Sequence, residues 1–127
     1  MPFINMYVRQ GLTSVQTRQL AGEVTSAIAN TLENTLPRMV RISIYEIPAH
    51  YMRDGAEQPK TPAPTLVLQL GPGRSDEAID RCLDAVVDAV HRTLAVPKES
   101  IRFYIERVPG ENFAIGGKLK DFQKKVN

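Results

Sequence analysis

The sequence predicts an α+β fold of tandem βαβ repeats, in which a four-stranded sheet carries two helices on one face. Three observations predict it. Extended stretches recur behind two prolines, Pro2 and Pro64; each is followed by a long stripe of apolar residues at helical spacing; and a proline-rich break separates the two copies.

The first copy opens with Pro2 and the strand-like run Phe3 to Val8, closed by a turn at Gly11-Leu12-Thr13-Ser14. Thr13 and Gln16 stand at capping-box spacing and mark a helix start. Leu20, Val24, Ile28 and Leu32, four apart, form the buried stripe of that helix. Past Pro37 the alternation of Val40, Ile42 and Ile44 reads as a half-buried strand. A strand, a helix and a second strand make a βαβ unit, whose two strands run parallel through a right-handed crossover.

The second copy repeats the plan. Pro64 precedes the strand Thr65 to Leu70, and Gly73-Arg74-Ser75-Asp76 makes the turn. Ser75 caps a helix whose positive first turn receives Asp76 and Glu77. Ile79, Leu83, Val86, Val90 and Leu94 form its stripe, with Cys82 among them at a buried position. Beyond Pro97, Ile101, Phe103 and Ile105 alternate as the fourth strand. Between the copies, Gly55 to Pro64 holds three prolines in ten residues and no periodicity, which reads as a stiff linker. The expected organisation is one fused domain over 1–127: a first unit at 2–54, a linker at 55–63 and a second unit at 64–127.

Composition bounds the chemistry less than the architecture. With 127 residues, 43% hydrophobic and 24% charged, the chain has the size and balance of one compact domain. A net charge of +2 is only mildly basic, and the lysine-rich tail, Lys118 to Lys125, carries a single aromatic, Phe122, with no repeated aromatic interleaving, so it reads as a solvated end and not a nucleic-acid patch. The single Cys82 excludes an internal disulfide. No basic and apolar leader opens the chain, and no apolar run approaches the roughly 18 residues of a membrane span, so a cytoplasmic protein is expected. His50 and His91 have no partner at metal or triad spacing. Gly116-Gly117-Lys118 is followed by Leu119 where a phosphate loop needs Ser or Thr, and Gly71-Pro72-Gly73 lacks the dinucleotide pattern. No cofactor, nucleotide or metal is expected.

Pro2 is the residue with chemistry to offer. Once Met1 is removed it becomes a secondary amine at the chain terminus, and an α-amino group titrates around pH 7.7 to 8.0, close enough to neutrality to serve as a general base. Small second residues follow Met1 in many chains, so the dipeptide alone settles nothing.

The remaining motifs resemble the tautomerase superfamily, specifically its 4-oxalocrotonate tautomerase group, and the chain looks like two such subunits fused. The resemblance rests on Pro2, on Gly73-Arg74-Ser75-Asp76-Glu77, on Val40-Arg41-Ile42 and Ile101-Arg102-Phe103, and on Asn112-Phe113-Ala114-Ile115-Gly116-Gly117. It implies a cofactor-independent enzyme that moves a proton between oxygen and carbon of an enol such as a 2-hydroxymuconate or a phenylenolpyruvate. Pro2 is then the base, Arg74 with Arg41 and Arg102 holds the carboxylate and oxo groups, and Phe113 walls the pocket. Guanidinium groups and an apolar wall both disfavour a charge on Pro2 and lower its pKa. The same cations stabilise negative charge on the carbonyl oxygen in the transition state. Each of these side chains also has a plainer reading, the arginines as solvated strand residues and Phe113 as core.

The two copies are not equivalent. Pro64 aligns with Pro2, but Ala63 acylates its nitrogen, so it has no basicity. Leu12 stands where the second copy has Arg74, and His50 to Gly55 where it has Asn112 to Gly117. The first half supplies the base and the second the anion clamp, so a working site is expected where the halves meet; by analogy with hexamers of single units, a fused chain is expected to form a homotrimer. Two alternatives stay open. A dehalogenase branch hydrates 3-haloacrylates, but its members carry a Glu where this chain has Ile115 and an extra Arg where it has Gly71, which favours tautomerisation. The other is a non-catalytic binder of small ligands on the same βαβ scaffold.

Overall fold

The structure, a computed structural model, describes residues 1–119 of the 127. Its elements are β1 (Phe3–Arg9), α1 (Ser14–Thr31), β2 (Arg41–Ile47), β3 (Thr65–Leu70), α2 (Asp76–Leu94), β4 (Arg102–Arg107), and a small hairpin of β5 (Ala114–Ile115) and β6 (Lys118–Leu119). The first four strands form one sheet in the order β2-β1-β3-β4. β1 pairs parallel with β2, and β3 with β4, as two βαβ units require. β1 and β3 join the halves in antiparallel register, Phe3 opposite Gln69 and Tyr7 opposite Thr65.

Period-two patterning decides which face is buried. Ile4, Met6 and Val8 of β1 and Leu66, Leu68 and Leu70 of β3 point to the core, while their odd-numbered neighbours are only partly covered. Both helices close that one core, α1 through Leu20, Val24 and Ile28 and α2 through Ile79, Cys82, Val86, Ala89 and Val90. The outer strands β2 and β4 bury less because each has a neighbour on one side only, and Tyr45 and Tyr104 stand exposed on them.

The helix starts read from the sequence are present. Gln16 N–H donates to Thr13 Oγ1 and the Gln16 side chain accepts from the Thr13 amide, at 3.1 and 3.0 Å. Ser75 Oγ accepts from Ala78 N–H at 3.1 Å. α2 ends with Ala95 in the left-handed region at φ 55°, its amide bonded to the His91 carbonyl. The segment between the halves is less open than its composition implies. Asp54 and Glu57 exchange backbone hydrogen bonds at 2.8 and 3.1 Å, and Arg9 Nη2 donates to the Pro59 carbonyl at 3.1 Å, so it is tied to the end of β1. Most of the lysine-rich tail lies outside the described residues; its first two members form β6. Among the described residues no helix is long and apolar enough to cross a membrane.

Candidate functional site

Antiparallel pairing of β1 and β3 determines what meets Pro2. Extending the register by one residue sets Pro2 against Leu70, so the start of the first half adjoins the loop that carries Arg74. Pro2 is buried, and its carbonyl accepts from the Arg41 amide at 3.1 Å, which makes Arg41 its neighbour on β2. The Arg41 guanidinium lies 5.4 Å from the centroid of the Phe3 ring, a cation–π distance. Phe113 meets the same ring edge-on, centroids 5.7 Å apart at 63°. Three of the candidate residues, Pro2, Arg41 and Phe113, therefore gather around Phe3, which the sequence reading did not single out.

Phe113 arrives there because β4, parallel to β3, ends at the Pro2 end of the sheet. A short turn at Gly110–Asn112 bends the chain back, and the β5–β6 hairpin follows. Its two loop residues, Gly116 at φ 59° and Gly117 at φ 82°, take the left-handed conformation a two-residue hairpin turn demands. The Gly-Gly pair between Ala114-Ile115 and Lys118-Leu119 is the sequence signal for this hairpin.

Arg74 has a second occupation. Its guanidinium donates to the Glu33 carbonyl and, at 3.1 Å, to Thr35 Oγ1, just beyond the end of α1. A cation placed there ties one backbone carbonyl and one hydroxyl of the turn that leaves α1 to the loop after β3. Arg107 holds the same loop from the other side, donating to the Arg74 carbonyl at 3.1 Å and to Asp76 Oδ1 at 2.6 Å. The matching position in the first half is Glu46, whose Oε1 accepts from the Gly11 and Leu12 amides at 3.0 and 2.9 Å. A carboxylate thus fills the backbone donors of one loop, whereas an arginine grips the acceptor side of the other. The aligned repeat places Glu46 and Arg107 at equivalent strand positions, and that was the available clue.

Arg102 stands elsewhere. It opens β4 with its amide on the Pro64 carbonyl at 3.0 Å, at the end of the sheet opposite Pro2. Within one chain the two do not meet. Cys82 is buried in the core; burial pushes its thiol above the ordinary value, against a Thr31 hydrogen bond and the Arg74 charge that pull it down. His91 Nδ1 lies 2.6 Å from the Val96 carbonyl and His50 packs edge-on against Tyr51, so both are occupied locally. No group of three His, Cys, Asp or Glu among the described residues could hold a metal ion.

No family model matches the chain. A probable tautomerase of Staphylococcus epidermidis (strain RP62A) is 35% identical over 60 residues, which span 98% of that protein and 47% of this chain. The chain belongs to the tautomerase superfamily. The relative's length corresponds to about one βαβ unit of this tautomerase-superfamily chain. Solved structures match over nearly its full length. One described as "W0 fused 4-OT wild type symmetric trimer" is 26% identical with a TM-score of 0.84, covering 94% of this chain and 97% of its own. Another, "R7 fused 4-OT wild type asymmetric trimer", shares the fold at 24% identity and a TM-score of 0.89, covering 97% and 99%.

Proposed function

We propose that this chain is a cofactor-independent keto–enol tautomerase of 2-oxo acids, with the terminal amine of Pro2, freed by removal of Met1, as its proton carrier. The observation that carries this reading is the convergence of Pro2, Arg41 and Phe113 around Phe3, with the Arg74 loop at the same end of the sheet. The substrate is a 2-hydroxy-dienoate or an aryl enolpyruvate. Its enol O–H bond breaks as Pro2 nitrogen takes the proton, the carbonyl forms, and the same nitrogen returns a proton to carbon, at the far end of the conjugated dienoate or at the ring-bearing carbon of the aryl enolpyruvate, so the protein ends as it began. The aromatic pair and the nearby guanidinium favour the neutral, proton-accepting amine. Arg41 and Arg74 pair with the carboxylate and with the oxygen on which charge builds. Phe113 keeps water from the reacting atoms.

The assembly we infer is a homotrimer, and the location cytoplasmic. Supporting the first are the trimers among the matching structures. Arg102 joins a Pro2 site only from a neighbouring copy. The direct test is Pro2→Ala, which keeps a terminal amine but makes it primary and less constrained. Turnover of 2-hydroxymuconate or phenylenolpyruvate is expected to fall by orders of magnitude with circular dichroism unchanged; wild-type turnover in that variant rejects the reading.

A further inference from the structure

The repeat gives the sheet two comparable ends. Pro64 precedes β3 as Pro2 precedes β1, both prolines are buried, and each carbonyl accepts from the amide of an arginine that opens the adjacent parallel strand, Arg41 at 3.1 Å and Arg102 at 3.0 Å. Each end also receives a turn that follows the other half's last strand or its own, Gly110–Asn112 at one and Ala49–Tyr51 at the other. They differ in chemistry. Acylation by Ala63 removes any base at Pro64, and what remains is an open cleft of about 640 Å³ whose walls include Tyr7, Tyr51, Arg53, Lys60 and Arg102.

The cations of this cleft are aimed but not neutralised. Arg102 Nη1 donates to the Glu99 carbonyl at 2.9 Å, and Arg53 donates to the carbonyls of His50 and Ala56 at 3.0 and 3.2 Å. Backbone carbonyls fix a guanidinium's direction and leave its charge in place. Among the described residues neither arginine nor Lys60 takes part in an ion pair. Asp54 is the one carboxylate on the walls, so three positive groups face one negative.

We propose that this cleft is a second binding site, for a small dicarboxylate that it holds without turning over. Two carboxylates match the two unopposed positive charges, and a guanidinium pairs with a carboxylate bidentately. Tyr7 and Tyr51 supply flat apolar walls for the carbon chain between them. The assignment gives Arg102 a ligand within its own chain, and it stands independently of catalysis at Pro2. The test is a titration of ¹⁵N-labelled full-length, processed protein with adipate, a saturated dicarboxylate that has no enol to isomerise. Saturable shifts are expected at the amides of Met52 to Ala56 and Ser100 to Arg102, weakening as salt is raised. The double variant Arg53→Ala/Lys60→Ala is expected to bind adipate there at least ~10-fold more weakly, since charge-assisted bonds are lost, with tautomerase turnover unchanged. Arg53→Lys/Lys60→Arg retains the binding. Shifts confined to the Pro2 end, silence of the cleft because another copy covers it, or wild-type affinity in the alanine double variant would each overturn the assignment. Absence of tautomerase turnover in the wild type defeats the Pro2 reading and leaves this one standing.

Discussion

Arg74 has a structural contact and a proposed role in substrate binding, and a pair of variants can separate them. Its guanidinium bonds to the Glu33 carbonyl and to Thr35 Oγ1, a residue only 8% exposed, and its charge belongs to the proposed anion clamp. A hydrogen bond to a charged group contributes about 1.5–3 kcal/mol when desolvated. Because Arg74 is half-exposed, solvent screening reduces each bond to about 1 kcal/mol, hence ~2 kcal/mol for Arg74→Ala. A chain of this length melts with an entropy of about 0.27 kcal/mol/K, which converts that loss to ~7 °C in Tm. Thr35→Val removes one bond and none of the charge, so it should cost about 1 kcal/mol, or ~4 °C. Turnover parts the two. Arg74→Ala is expected to lower kcat by about 10²–10³, the usual effect of deleting one oxyanion donor, whereas Thr35→Val keeps kcat/KM near wild type. Thermal melts at fixed protein concentration and an enol-keto assay read both quantities. Full activity in Arg74→Ala, or an equal loss of activity in Thr35→Val, would refute the division of roles.

Two further outcomes follow from the core and the sheet. Burial holds the Cys82 thiol neutral above its ordinary 9.0, so the folded state binds this proton more tightly than the unfolded chain; its contribution to stability is complete below pH 9.0 and is lost as pH rises through the folded value. Denaturant midpoints should fall as pH rises above 9.0, less steeply in Cys82→Ala, and iodoacetamide should label Cys82 only once the chain unfolds. Sedimentation is expected to report a trimer of the 14.2 kDa chain; an active monomer contradicts that assembly.

Most of the fold was legible because it is written in local periods. The Thr13–Gln16 box, the Ser75 cap and the two apolar stripes each depend on residues within a few turns of one another, and the structure contains all of them. Leu83 and Leu94 are only partly buried, because Cys82 and Ala89 take the central core positions of α2. Less legible was the β1–β3 pairing, since nothing in either strand encodes a partner 60 residues away, and that pairing is what brings Arg74 to Pro2's end. It also sends Arg102 to the opposite end, although Arg41 and Arg102 look identical in sequence context. Phe3 was hidden by its place in a regular strand; its importance comes from the Phe113 turn folding back over it. Glu46 and Arg107 act on loops more than 30 residues away, and only the aligned repeat hints at their opposite roles.

The most direct measurement compares two forms of one protein. Intact mass separates chains that retain Met1 from chains that begin at Pro2, and both are assayed for enol-keto conversion at equal concentration. If Pro2 nitrogen carries the proton, activity tracks the processed fraction and the Met1-bearing form, whose Pro2 is an amide, is inactive. Equal turnover by the two forms would contradict the central claim and move the chemistry to another residue.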